Sequence, residues 1–185
     1  EMSPITSRHW SAIMMDEALF KRVDALVAKR DALGFDAEQL RLLERTHRGF
    51  VRSGAQLGPD DKARLASINE RLAGLGTQFS QNVLKDESSW ALIIEDEGGL
   101  AGLPDFLLAA MARAAADRGH QGKHAVTLSR SIIEPFLTFS TRRDLREEAF
   151  AAWSKRGENG NDSDNRAIVA EMVKLRAQKA KLLGF

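Results

Sequence analysis

The four histidines are the residues of this chain best suited to hold a metal, and only one pair has a useful spacing. His120 and His124, in HQGKH, stand four apart, which on a helix places both rings on one face. A catalytic zinc motif of this spacing carries a glutamate after the first histidine as general base, but Gln121 stands there. Gly119 and Gly122 also disfavour a regular helix. We therefore interpret HQGKH as a solvated turn without a metal.

The segment from Gly157 to Asn165, GENGNDSDN, is rich in the oxygen ligands that calcium prefers. It lacks the order of an EF-hand loop, in which acidic or amide residues alternate before a glycine and a glutamate stands at position twelve. We interpret the segment as a surface loop with a cap for the following helix.

Other side chains that could take part in catalysis or ligand binding fit structural roles better. The adjacent acids Asp60–Asp61 and Glu147–Glu148 point apart on a helix, and acids in a first turn stabilise the helix dipole. Trp90 and Trp153 could stack on a ligand, but their spacing among apolar residues favours packing. Three serines have no visible histidine and acid partners for a serine hydrolase: Ser129, Ser131 and Ser140.

Composition excludes several classes of function. Lysine and arginine number 27 against 26 acids, a net charge of +1, and the signs are interleaved, so no basic face for nucleic acid is indicated. The chain has no cysteine, which excludes disulfides and thiol chemistry and fits a reducing compartment. No stretch resembles a signal peptide or the roughly 20 apolar residues of a membrane span. We expect a cytoplasmic protein that binds neither membrane nor nucleic acid.

Apolar residues at steps of three and four predict helices in the first half of the chain. The first runs from about Asp16 to Leu33 and ends at Gly34, and the segment TSRHWSAIMM before it is expected to form a short turn. The second runs from its N-cap Asp36 to about Arg52. The two helices should form an antiparallel hairpin.

A longer third helix is predicted from Pro59 to about Asp86. Gly74 and Gly76 lie inside it, and each costs roughly 1 kcal/mol relative to alanine, so we expect a neighbouring helix to pack closely there. The apolar stripe fits either an intramolecular bundle or a coiled-coil homodimer.

The pattern changes at Trp90. Trp90–Ile94 and Ala125–Leu128 are β-rich and should pair as a small two-stranded sheet. A helix starting at Pro104 and ending at Gly119 connects them. The fold class is therefore mainly α: a multi-helix bundle with one small β element. We expect two parts, residues 1–89 and residues 90–185.

Three local signals predict where the helices of the last fifty residues begin and end. Pro135 should break the backbone, and Thr141 with Asp144 resembles a capping box for the next helix. A last amphipathic helix within residues 164–185 should end at Gly184 in an αL cap, with Phe185 folded back near Ala180.

Four segments in order resemble zinc metallopeptidases of the thimet oligopeptidase, neurolysin and bacterial peptidyl-dipeptidase family. LRAQKAKLLGF, from Leu175, resembles the family's LRAxxAxLLGF/Y segment. GLPDFLLAAMARAAADRG from Gly102, AVTLSRSIIEPFL from Ala125 and RRDLREEAFAAWSKRG from Arg142 follow the family order. The bacterial peptidyl-dipeptidases look closest, since NDSDNRAIVAEMVKLRAQ resembles their run into the last helix.

The resemblance implies that residues 1–89 and 90–185 belong to one continuous N-terminal region of a larger enzyme, and that the two halves of this enzyme have different roles. In that family an HExxH helix and a distal glutamate in the C-terminal half bind zinc, and the N-terminal half walls a deep channel that admits only short peptides. No HExxH occurs here, so the resemblance implies no catalytic, cofactor-binding or metal residue in this chain. Its expected partners are short peptides and the C-terminal catalytic half of the same polypeptide. The alternative is a stand-alone helical protein-interaction module without catalysis.

Overall fold

The computed structural model describes residues 2–185, and this part of the chain contains eight α-helices and one two-stranded sheet. The mainly α prediction is therefore confirmed. The helices are α1 Ser3–Met14, α2 Glu17–Ala28, α3 Ala37–Arg52, α4 Pro59–Ser89, α5 Asp105–Ala116, α6 Arg130–Phe139, α7 Arg143–Ser154 and α8 Arg166–Leu182. The strands are β1 Ala91–Ile94 and β2 His124–Thr127, and short 3-10 helices span Arg30–Ala32 and Glu97–Leu100. Among residues 2–185, none of the helices combines the length and apolarity needed to cross a membrane.

The chain forms two compact units. The first comprises the residues up to Gln78 together with Ile168–Phe185, and the second is Phe79–Ala167.

In the first unit, α2 and α3 form the predicted hairpin. The Phe20 ring stacks on His47 with centroids 5.5 Å apart, and His47 Nε2 lies 2.9 Å from Asp24 Oδ1. Phe20, earlier in α2, also contacts Phe50, and Asp24, later in α2, contacts His47. The two helices are therefore antiparallel. A capping box starts α3: Asp36 accepts from the Gln39 N–H, and the Gln39 side chain accepts from the Asp36 N–H.

Two boundaries in this unit differ from the prediction. The segment expected to be a turn is helix α1, whose apolar residues Ile5 and Trp10 are 54% and 62% exposed, so they give no clean buried stripe. The helix expected to reach Leu33 ends at Ala28 and is followed by the 3-10 turn. Gly34, with φ 63°, closes that turn as predicted.

Helix α4 starts at Pro59 as predicted and continues three residues beyond Asp86. Its buried residues in the first unit include Leu65 and Leu75. The expected close packing at Gly74 and Gly76 is wrong, since a Cβ at either position would meet nothing within 4 Å.

The second unit is built on the antiparallel pair of β1 and β2, in which Ala91 lies opposite Thr127 and Ile94 opposite His124. The predicted sheet is confirmed, with β1 starting one residue later and β2 shifted one residue toward the N-terminus. Helix α5 connects the strands and packs on β2. Its buried residues join those of the strands, α6 and α7 in one core: Ile94, Leu103, Leu107, Met111, Val126, Leu128, Ile132, Ile133, Phe136 and Ala149.

Pro135 does not break the chain, because it lies inside α6. Proline removes one backbone hydrogen bond from a helix interior. The buried face of α6, with Ile132, Ile133 and Phe136, holds the helix together despite that loss.

The predicted capping box at the start of α7 is also wrong. The Thr141 hydroxyl donates to the Ala101 carbonyl at 3.2 Å, and Asp144 accepts from the Arg142 guanidinium at 2.6 Å. At the other end of the chain, Gly184 has φ 82° and the Phe185 N–H donates to the Ala180 carbonyl at 3.0 Å. This is the predicted cap, although the Phe185 side chain is 82% exposed and does not pack back.

Candidate functional site

The histidine pair lies at the turn between α5 and β2. Gly119 and Gly122 have φ values of 83° and 78°, which form a turn and not a helix. His120 is exposed in this turn, as predicted, whereas His124 is the half-buried first residue of β2, opposite Ile94. The helical frame that would place both rings on one face is absent.

The other histidines do not complete a metal site. His47 contacts Asp24, and His9 is exposed on α1. Nowhere in residues 2–185 do three histidine, aspartate or glutamate side chains come together in a group that could hold a metal ion. The zinc implied by the resemblance therefore has no fitting ligand set in the described part of the chain.

A buried polar site lies in the second unit, where the loop from Gly157 to Asn165 meets the end of α4. Asp86 is 6% exposed. Its Oδ2 accepts from the Gly157 N–H at 2.7 Å and from Asn159 Nδ2 at 2.8 Å, and its Oδ1 accepts from Asn161 Nδ2 at 3.5 Å. One carboxylate thus fixes three residues of the loop.

A buried amide holds the other end of the same loop. Asn165, 3% exposed, donates from Nδ2 to the Phe79 carbonyl at 3.2 Å and accepts from Asn82 Nδ2 at 2.9 Å. Its N–H donates to the Gly157 carbonyl at 2.7 Å. The two ends of the loop are therefore joined to each other and to α4.

Asp164 stabilises the start of α8. Its carboxylate accepts from the Arg166 guanidinium at 2.7 Å, from the Arg166 backbone N–H at 2.9 Å and from the Gly160 N–H at 2.8 Å. The guanidinium first, and then the backbone N–H groups, hold the pKa of Asp164 well below its usual value.

These contacts decide between the two interpretations of the loop. The carboxylates of Asp164 in the loop and of Asp86 at the end of α4 already accept hydrogen bonds from N–H groups of the protein. The middle of the loop, residues 158–162, is exposed as predicted, but Gly157, Ser163 and Asn165 are buried. The segment is an anchored connection between α7 and α8.

A cavity of about 360 Å³ lies beside Asp86 and is the candidate site of the second unit. Trp90 and Leu128 form its apolar side, and Lys155 and Asn159 are among its polar lining residues. Ser89 also lines it, and its hydroxyl donates to the Asp86 backbone carbonyl at 3.3 Å, so the arrangement suits binding of a small polar group.

The two tryptophans pack as predicted. Both lie against the hydrophobic core of the second unit, and Trp90 in addition lines the cavity. The Arg156 guanidinium lies 5.4 Å from the Trp153 ring centroid and forms an ion pair with Glu87. The buried Trp153 Nε1 has no hydrogen-bond partner among the described residues.

The paired acids and the three serines considered above have structural positions and no catalytic arrangement among the described residues. Asp60–Asp61 are exposed in the first turn of α4, and Glu147–Glu148 are exposed on α7. Ser129 and Ser131 share a hydroxyl contact of 3.3 Å, and the buried Ser140 accepts from a backbone N–H. Within the described chain none of these serines contacts a histidine or a carboxylate, so no hydrolase triad is formed.

Comparison with known proteins places these observations in a family context. Residues 136–185 match the model of peptidase family M3. The dipeptidyl carboxypeptidase of Escherichia coli is 39% identical over 173 residues, which cover 94% of this chain and 25% of that protein. The dipeptidyl carboxypeptidase of Salmonella typhimurium is 40% identical over the same shares.

A second group of relatives carries a different name. Oligopeptidase A of Haemophilus influenzae is 33% identical over 186 residues, covering 98% of this chain and 27% of that protein. The chain therefore spans about a quarter of the length of the curated relatives it matches.

Proposed function

We propose a function for this chain from two similarities: residues 136–185 match the model of peptidase family M3, and nearly the whole chain is similar to dipeptidyl carboxypeptidases and to oligopeptidase A. On this proposal it is the N-terminal, channel-wall part of a zinc-dependent peptidyl-dipeptidase or oligopeptidase that hydrolyses short peptides. The observation that carries the proposal is 39% identity across 94% of a chain that has no HExxH motif and spans 25% of its relative.

The chain itself is proposed to be non-catalytic, with no catalytic, cofactor-binding or metal residue. Catalytic zinc needs three protein ligands and an open position. His120 and His124 are separated between a turn and a strand, which supports placing the zinc on polypeptide outside this chain.

Exposed apolar side chains support a role next to further polypeptide. In the first unit Trp10 is 62% exposed. In the second unit Phe106 and Phe139 are 61% and 46% exposed and form an edge-to-face pair with centroids 6.3 Å apart. Such groups commonly mark contact surfaces. We propose that both units belong to one continuous N-terminal region whose partner is the C-terminal catalytic half.

The higher identity to the two dipeptidyl carboxypeptidases, 39% and 40% against 33% for the oligopeptidase A, supports the peptidyl-dipeptidase branch. The absence of cysteine supports a cytoplasmic location.

The same exposed apolar side chains favour a second candidate, a stand-alone helical module that binds a protein partner. A reading frame that continues beyond Phe185 and encodes HExxH supports the enzyme. A stop codon directly after Phe185 supports the module.

Peptide hydrolysis tests the enzyme proposal. We expect the longer polypeptide to hydrolyse blocked short peptides in a chelator-sensitive reaction, read by mass spectrometry, and residues 1–185 to leave them intact. Replacing both His120 and His124 with alanine in the longer polypeptide should leave its rate nearly unchanged. Turnover by residues 1–185 alone would overturn the proposal, as would loss of activity in a double variant that still folds.

A further inference from the structure

A second cavity, of about 410 Å³, lies within the first unit. Helices α1, α4 and α8 and the end of α3 contribute its walls. Its lining residues are Ser7, Trp10, Ser11, Met14, Met15, Arg52, Ser53, Leu65, Asn69, Leu72, Ala73 and Lys179. No aspartate or glutamate is among them, while Arg52 and Lys179 bring two positive charges from distant parts of the sequence.

The nearest acids along the same helices are already paired with other cations. Glu70, next to Asn69 on α4, accepts from Arg8 at 2.9 Å. Glu171 on α8 accepts from Arg71 at 2.6 Å, and this contact lowers the pKa of Glu171. The wall of the cavity therefore carries positive charge and no carboxylate of its own.

The cationic groups keep donors for a ligand. Lys179 Nζ donates to Asn69 Oδ1 at 2.8 Å, and Asn69 Nδ2 donates to Ser11 Oγ at 3.4 Å. A lysine ammonium has three donors, so others remain after this bond. The Arg52 guanidinium forms no hydrogen bond or ion pair with any residue of 2–185. Its planar fork of donors matches a carboxylate.

The rest of the wall is apolar. Leu65, fully buried, and Leu72 lie on the α4 side, and Met14 lies on α1. Trp10, which is largely exposed, offers a ring to an apolar group that enters. The cavity thus combines a cationic part with an apolar part, and its volume lies at the low end of the range of about 300–1,000 Å³ for ligand pockets.

From this combination we propose that the cavity binds a short peptide by its free C-terminal carboxylate, with Arg52 and Lys179 holding the carboxylate and an apolar terminal side chain lying against Trp10 and Leu72. This is a binding site without chemistry, separate from the metal-dependent site proposed for the catalytic half. The identity of the ligand as a peptide rests on the proposed function, and its anionic and apolar character rests on the cavity.

Binding of acetyl-alanyl-phenylalanine to residues 1–185 tests the site. The indole N–H resonance of Trp10, assigned with Trp10→Phe, should shift saturably with the free acid. The C-terminal amide of the same peptide lacks the charge and should bind about tenfold more weakly or worse, because charge-assisted hydrogen bonds are the stronger ones. Added salt should weaken binding of the acid.

Matched variants distinguish binding by Arg52 and Lys179 from a non-specific effect of the net positive charge. Arg52→Gln and Lys179→Gln should each weaken the acid about tenfold or more, whereas the exposed neighbours Arg45→Gln on α3 and Lys181→Gln on α8 should leave it unchanged. Circular dichroism of each variant reports folding, and Arg52→Lys keeps the charge if Arg52→Gln does not fold.

Equal binding of acid and amide, equal losses in the control variants, or no saturable shift up to the solubility limit of the peptide would each overturn the proposal. None of these results bears on whether the longer polypeptide is a zinc peptidase, so the two proposals fail separately.

Discussion

At the scale of single residues, Asp86 is a buried carboxylate that holds a loop of the second unit. It is buried at the end of α4 and accepts from one backbone N–H and two side-chain amides of a loop more than seventy positions further along the chain. Local patterns in the sequence reveal the polar loop but not its acceptor, because the pairing arises only when the chain folds back on α4.

Replacing Asp86 with alanine should destabilise the second unit by about 2 kcal/mol or more, since buried N–H groups such as that of Gly157 lose a charged acceptor. Denaturant unfolding followed by the fluorescence of Trp90 and Trp153 measures the change. Asp162→Ala, at an exposed position in the same loop, is the control and should change little. Equal stabilities of the two variants would show that the buried carboxylate does not hold the loop.

Asp144 offers a test by pH. The Arg142 guanidinium lowers the pKa of Asp144 from 3.8 to about 2. Because the folded pKa lies below the unfolded one, the stabilisation is present above about pH 3.8 and is lost as the pH falls through about 2. Both side chains are partly exposed, so the gain should be small and weakened by salt.

We expect the side-chain carboxyl carbon of Asp144 to titrate near pH 2 by NMR, and this pKa to rise toward 3.8 after Arg142→Gln, which removes the largest of the contacts that lower it. Arg143→Gln, which leaves the contact intact, should keep the low midpoint. An unchanged midpoint after Arg142→Gln would show that the ion pair is not formed in solution.

At the scale of secondary structure, sequence patterns predict most elements and fail where tertiary contacts decide. The N-cap of α3 at Asp36, the glycine cap of α8 and the pairing of β1 with β2 follow from local rules. Helix α1 is missed because its apolar side chains are partly exposed. Helix α6 continues through Pro135 because its buried face compensates for the lost hydrogen bond.

The effects of substituting glycines also depend on tertiary contacts that the sequence pattern does not show. A Cβ at Gly74 would meet nothing within 4 Å, so Gly74→Ala should stabilise the protein by about 0.5–1 kcal/mol through better helix propensity. Gly157 has φ 73°, and its Cβ would lie 2.8 Å from Asn165 Nδ2, so Gly157→Ala should destabilise by about 1 kcal/mol or more. Thermal unfolding of both variants measures the two signs. Destabilisation by Gly74→Ala would contradict this and would support the close helix packing at Gly74 that was expected from the sequence.

At the scale of the whole molecule, composition and periodicity predict a mainly α fold, whereas the make-up of the compact units depends on long-range contacts. The C-terminal helix returns to the first unit, where Glu171 contacts Arg71 and Lys179 contacts Asn69. No local pattern predicts these partners, which lie about a hundred residues apart. The cavity with Arg52 and Lys179 arises from the same return and was therefore not predicted.

The division of this chain into residues 1–89 and 90–185 stays a prediction. The similarity to family M3 peptidases was visible in four ordered segments, since these preserve residue identities and not only apolar spacing. The proposed role as a non-catalytic channel wall follows from that similarity together with the missing HExxH motif.

The zinc content of purified residues 1–185, measured by elemental analysis after dialysis against buffered zinc, tests this role most directly. We expect no stoichiometric zinc in this chain and about one zinc per molecule in the proposed longer polypeptide, which would carry the HExxH motif. One tightly held zinc in residues 1–185 alone would contradict it.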